Sequence, residues 1–226
     1  MIPALTRRRA SSWAPARAGT HSDASEPLQA EADRARPEVE FAELDRIVPA
    51  ADVIPDDPRY PMQPEHRQIG SPAAWGITPG AQTVTIAILD TGVDGNRPDL
   101  VGHLVPGWNA YNGNSNTSDV HGHGTFMAGI AGAVGNNALG VRGTACSCKV
   151  MTIRISAPDG TGSWSAITER LVWAADHGAR VANISYYSVS TSSSVTSAAQ
   201  YFQNRGGVVT AAPGHTGPVE SRAENP

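Results

Sequence analysis

The stretch "VTIAILDTGVDG" (residues 84–95) drives an apolar, β-branched run straight into an Asp-Thr-Gly turn. A short apolar run of this kind reads as a buried strand. Its end leaves the carboxylate of Asp90 where the chain turns away. Such a carboxylate serves two chemistries: it is half of a carboxylate dyad that activates water, or the orienting acid of a Ser-His-Asp triad.

Outward from this strand, apolar runs alternate with helical periods. Residues 150–155, 181–185 and 208–212 read as further strands, and 123–134, 165–178 and 194–204 as helices. In the second helix Ile167, Leu171, Val172, Ala174 and Ala175 recur at helical spacing before Gly178. Strands that alternate with helices pair in parallel through right-handed crossovers. The predicted class is α/β, a doubly wound, mostly parallel sheet with ligand sites beyond the carboxyl ends of its strands. Asp90 stands at such an end. A dyad needs a second carboxylate in a mostly β framework, and the chain has no second Asp-Thr-Gly, so the triad reading is favoured.

The chain has 226 residues, 40% of them hydrophobic, which is enough for a substantial core. Residues 1–38 are rich in Arg, Ala, Ser, Pro and Glu without a sustained apolar period and read as disordered or residual. A net charge of −4 leaves no footprint for nucleic acid or an anionic membrane. Arg7, Arg8 and Arg9 are followed by no apolar signal-peptide core, and no run approaches a membrane span. Cys146 and Cys148 are too close for ordinary disulfide geometry and read as two buried thiols beside a strand.

The segment "DVHGHGTFMAGIAG" (residues 119–132) supplies a His directly before Gly-Thr, at the start of a helix of small residues that can pack under a strand end. The blocks "AILDTGVDGNRPDL" and "HGHGTFMAGIAG", in this order, resemble the Asp and His blocks of the subtilisin-like serine proteases. The resemblance runs from about residue 39 to the last residue and implies a serine-type endopeptidase with a subtilisin-like fold. It makes Asp90 and His123 catalytic. His123 would act as general base and acid, while Asp90 would fix its tautomer and offset the cost of an imidazolium at a helix N-terminus.

Other roles follow from the resemblance alone. Asp99, Asn136 and Asn137 match a structural calcium site, with Asx-bonded turns as the alternative. Gly160, Thr161 and Gly162, with Ser185, Tyr186 and Tyr187, match two edges that hold an extended polypeptide substrate or propeptide as an added strand. Trp164 would line an apolar pocket or, alternatively, belong to the core. Tyr187 stands where many members carry Gly, and its bulk is expected to narrow the cleft. His121 beside Asp119 invites a zinc reading, but further His ligands are not recognisable, and a place at the rim is expected. No cofactor is required for the chemistry, the expected state is a monomer, and the family implies secretion.

The family's nucleophile motif, Gly-Thr-Ser-Met-Ala, is absent from these residues, and neither Ser185 nor Ser221 stands in its context. In "AAPGHTG" His215 occupies the place of the oxyanion-hole amide. Losing one such donor costs about 2.7–4 kcal/mol in the transition state. Removing the nucleophile costs roughly 10⁶ in turnover. The expectation is therefore a fold incomplete at the C-terminus and inactive alone. Residues 39–60 are expected to be a propeptide end with its processing junction, and 61–226 the N-terminal part of a catalytic domain. A non-catalytic, peptide-binding pseudoprotease is the alternative.

Overall fold

The computed structural model describes residues 52–212. Five parallel strands form one sheet: β1 (Thr85–Asp90), β2 (Leu104–Asn109), β3 (Lys149–Arg154), β4 (Val181–Ile184) and β5 (Val208–Ala211), in the order β2-β3-β1-β4-β5. The helices are α1 (Glu65–Gln68), α2 (Ser71–Ile77), α3 (His123–Gly132), α4 (Trp164–Asp176) and α5 (Ser193–Asn204). The doubly wound class read from the sequence is the one observed.

Strand alternation assigns the two faces. Ala87, Leu89, Met151, Ile153, Ala182 and Ile184 meet Ile167, Leu171 and Ala174 of α4 and Val195, Ala198 and Phe202 of α5. On the opposite face Ile86, Ile88 and Val150 pack with Ala128 of α3, Leu100 and Cys148. Asp90 shares the parity of Ile86 and Ile88, so its side chain emerges on the face that α3 covers. Ser163 and Ser192 cap α4 and α5, accepting from Ala166 N and Val195 N.

Two differences from the sequence reading have physical causes. The reading left out β2, because Pro106 and Gly107 interrupt its apolar run. Both are tolerated at the edge of the sheet, where the pairing with β3 shifts register between Val105 and Trp108. The segment at 60–77 forms a short 3-10 turn and α1 and α2, tied down by the buried His66, whose ring bonds Ser71 Oγ and Arg142 O. Cys146 and Cys148 are both buried free thiols, as expected.

The chain leaves β1 toward β2 and β3 on one side, then crosses to β4 and β5 on the other. The carboxyl end of β1 is therefore the topological switch point, where open α/β sheets form their crevice. Asp90 is the last residue of that strand.

Candidate active site

Asp90 is wholly buried, and its Oδ1 accepts from Thr91 N at 2.7 Å and faces His123 Nδ1 at 2.8 Å. A carboxylate oxygen is an acceptor, so this contact is a hydrogen bond in the tautomer that carries its proton on Nδ1, which leaves the ring's lone pair at Nε2. The His123 side chain is 40% exposed while that of Asp90 is 0%. The pair therefore has a dry end and a wet end, and the accepting nitrogen belongs to the residue that an incoming group can reach.

Close approach of backbone makes this geometry possible. A Cβ on Gly124 would stand 2.1 Å from Gly92 O and 3.1 Å from Asp90 Cβ, so only glycine lets the first turn of α3 seat against the end of β1. Gly92 itself sits at φ +110, and a Cβ there would meet Ser118 O at 2.5 Å.

Asp119 stands just before α3. Its Oδ1 accepts from Thr91 Oγ1 at 2.7 Å, His121 N at 3.0 Å and Gly122 N at 2.9 Å, and its Oδ2 from Thr125 N at 2.9 Å and from Thr125 Oγ1. Thr91 Oγ1 in turn accepts from Gly124 N at 2.9 Å. Burial alone would raise the Asp119 carboxyl, but the bonds from Thr125, Gly122, His121 and Thr91 outweigh it and hold it well below the usual range. With both oxygens so engaged, Asp119 is a structural acceptor. The His121 ring lies at the rim, against Gly160, whose Cβ would stand 3.1 Å from His121 Cδ2.

The two edge segments face each other through Tyr186. Residues 156–162 fold back on themselves, with an antiparallel bridge between Ser156 and Gly162, and Asp159 Oδ1 accepts from Thr161 N at 2.9 Å and Thr161 Oγ1 at 2.6 Å. Tyr186 donates its hydroxyl to Gly160 O at 3.0 Å, and a Cβ on Gly162 would lie 3.3 Å from its ring. Burial, then the charge of Asp90, pushes the Tyr186 phenol up to about 12. Ser185 Oγ accepts from Asn183 Nδ2 at 2.8 Å. Tyr187 is 71% exposed, so the ring that reaches the opposite edge is its neighbour's. Trp164 opens α4 half exposed and is not a core residue.

Asp99 faces the loop that carries Asn136 and Asn137. Its Oδ1 accepts from Asn137 Nδ2 at 3.3 Å and its Oδ2 from Val141 N at 2.8 Å. A residue the sequence reading missed joins them: buried Asp57 accepts from Asn136 N at 2.9 Å and Asn137 N at 3.3 Å. Asn137 Oδ1 accepts from Leu139 N at 2.9 Å, so the loop carries the Asx bonding of the alternative reading. His215 lies outside the described residues.

Comparison with known proteins shows what the chain is similar to. The model of the subtilase family matches residues 81–225. Thermitase of Thermoactinomyces vulgaris is 40% identical over 164 residues, which are 72% of this chain and 58% of thermitase. A thermophilic serine proteinase of Bacillus sp. (strain AK1) is 36% identical over 182 residues, 80% of this chain and 45% of its own length. Among solved structures, one described as proteases from Pseudoalteromonas arctica PAMC 21717 aligns with a TM-score of 0.59 at 26% identity, covering 70% of this chain and 58% of that one. Sphericase aligns at 0.57 with 30% identity, covering 62% and 48%. The chain spans about half the length of the curated relatives it matches.

Proposed function

The chain belongs to the subtilase family of subtilisin-like serine proteases, and from that premise we propose that Asp90 and His123 are the acid and base of a serine endopeptidase centre. The observation that carries the reading is the 2.8 Å contact between buried Asp90 Oδ1 and His123 Nδ1 at the switch point of the sheet.

Nε2 of His123 would take the proton of an attacking serine hydroxyl and return it to the leaving amine. Asp90 would hold the imidazole in the tautomer that leaves Nε2 free to accept, and would stabilise the imidazolium formed on transfer. At a helix N-terminus that cation is disfavoured, which gives the buried carboxylate a second use. The serine belongs to the proposal and not to these residues, because the 226-residue sequence holds no Gly-Thr-Ser motif.

The substrate would be an extended polypeptide or the protein's own propeptide, held between segments 160–162 and 185–187. His215 would stand in for the oxyanion-hole amide, and residues 39–60 and 61–226 for the processing junction and the catalytic part. Secretion as a monomer belongs to the same reading, and among the described residues no helix is long and apolar enough to cross a membrane. Calcium would be structural. Asp57 and Asp99 now accept from N–H groups of the loop that carries Asn136 and Asn137, so an ion there would have to displace those bonds; it would hold the loop and take no part in hydrolysis.

The test is a fluorophosphonate labelling and peptide-hydrolysis assay. The 226-residue chain should neither label nor cleave. The product of the same gene read in frame past Pro226 should do both, and lose cleavage on His123→Ala. Cleavage by that longer product unaffected by His123→Ala would sink the assignment.

A further inference from the structure

We propose that Asp119, acting through Thr91, is a positioning residue that sets the distance and angle between Asp90 and His123. The proposal rests on the reading of those two residues as acid and base.

The pair is carried by two separate pieces of chain, the turn after β1 and the first turn of α3. Nothing covalent within thirty residues joins them, since they are separated by 33 positions. Thr91 is the link on one side: its N–H donates to Asp90 Oδ1, and its hydroxyl accepts from Gly124 N while donating to Asp119. Asp119 is the link on the other, gathering the N–H groups of His121, Gly122 and Thr125 and the Thr125 hydroxyl. The backbone N–H groups at 122, 124 and 125 are thus all anchored to Thr91 or Asp119. They flank His123 on both sides in sequence, so its Cα has little freedom to shift against Asp90.

The job calls for a carboxylate. Five donors converge on two oxygens, and an amide offers one acceptor oxygen together with two donors. Bonds to an ionised acceptor are also stronger than neutral ones. A negative charge is favoured at the start of α3 by the helix dipole as well. Asp119 makes no hydrogen bond to the imidazole among the described residues, so it acts by holding the backbone.

Proton NMR at low field on the full 226-residue chain with ¹⁵N-labelled histidine reads the consequence. In the wild type, the His123 Nδ1 proton held by Asp90 gives a downfield resonance that disappears in His123→Gln. Thr91→Val removes the linking hydroxyl at nearly constant shape, and Asp119→Asn removes acceptor capacity. Both should abolish the resonance or make its exchange with water roughly tenfold faster. Thr91→Ser should restore it, and Ser192→Ala, which removes the cap of α5 on the other face, should leave it alone. If Asp119 served stability only, the resonance would persist in every variant that keeps its helical circular dichroism. Folded Thr91→Val with wild-type exchange therefore overturns the proposal, even if Asp119→Asn fails to fold. Absence of the resonance in the wild type overturns the acid–base pairing itself. Its presence there and persistence in the variants removes only the positioning role.

Discussion

Two glycines of α3 should respond to the same substitution with opposite signs. Gly129 has nothing within 4 Å of a built Cβ, whereas at Gly124 that atom would stand 2.1 Å from Gly92 O and 3.1 Å from Asp90 Cβ. Gly129→Ala should therefore stabilise the chain by about 0.5–1 kcal/mol, the difference in helix propensity. At Gly124 the obstructing atom is a backbone carbonyl that cannot swing aside. Restoring a carbon–oxygen separation of about 3.3 Å requires the first turn of α3 to retreat by about 1.2 Å. Overpacking of this kind costs about 1–3 kcal/mol. After the propensity gain, a net loss of up to about 2.5 kcal/mol remains. The same retreat would stretch the 2.8 Å Asp90–His123 contact to roughly 4 Å, past hydrogen-bonding range. Urea unfolding of both variants followed by circular dichroism reads the stabilities. A Gly124→Ala chain as stable as Gly129→Ala, or a Gly129→Ala chain less stable than the wild type, would refute the reasoning.

Phe202 is fully buried between α5 and the sheet, so Phe202→Ala should cost about 3–5 kcal/mol in urea unfolding, and a loss below about 1 kcal/mol would show that this core is not packed as described. Because the native Asp119 carboxyl is held below its unfolded value, its contribution is present above about pH 4 and lost as pH falls through the native value. The stability gap between wild type and Asp119→Asn should therefore shrink on acidification from about pH 5 to 2, and a gap constant across that range would contradict the depressed carboxyl. Millimolar calcium should raise the melting temperature relative to EDTA, and the increment should vanish in Asp99→Asn if the loop at 136–141 binds the ion. An equal increment in that variant would place the effect elsewhere.

Most of the sheet was legible because four of its strands are mostly apolar runs rich in β-branched residues: residues 84–89 announce a buried strand without any partner being known. The strand β2 was not, because Pro106 and Gly107 are breakers anywhere but at an edge, and edge position is a property of the assembled sheet. Asp90 and His123 could be singled out because each sits inside a local motif. The net around Asp119 could not, since the hydroxyl of Thr91 lies 28 positions away and only the fold brings it near. The one local signal was an acidic residue just ahead of a helix start. Tyr186 and Tyr187 teach a similar lesson. The resemblance drew attention to the second ring, whereas the contact that joins the two segments, Tyr186 to Gly160 after the turn at Ile184, is one that no local motif announces. Asp57 was missed because its loop partners are 79 and 80 positions away.

The endopeptidase reading depends on a serine that the 226 residues do not contain in its motif. Sequencing the gene beyond the codon for Pro226 tests it most directly. The account predicts an in-frame continuation carrying a Gly-Thr-Ser motif at the start of a further helix, which would supply the nucleophile that His123 Nε2 serves. A stop codon, or a continuation without such a serine, would contradict it and leave peptide binding between segments 160–162 and 185–187 as the activity to measure.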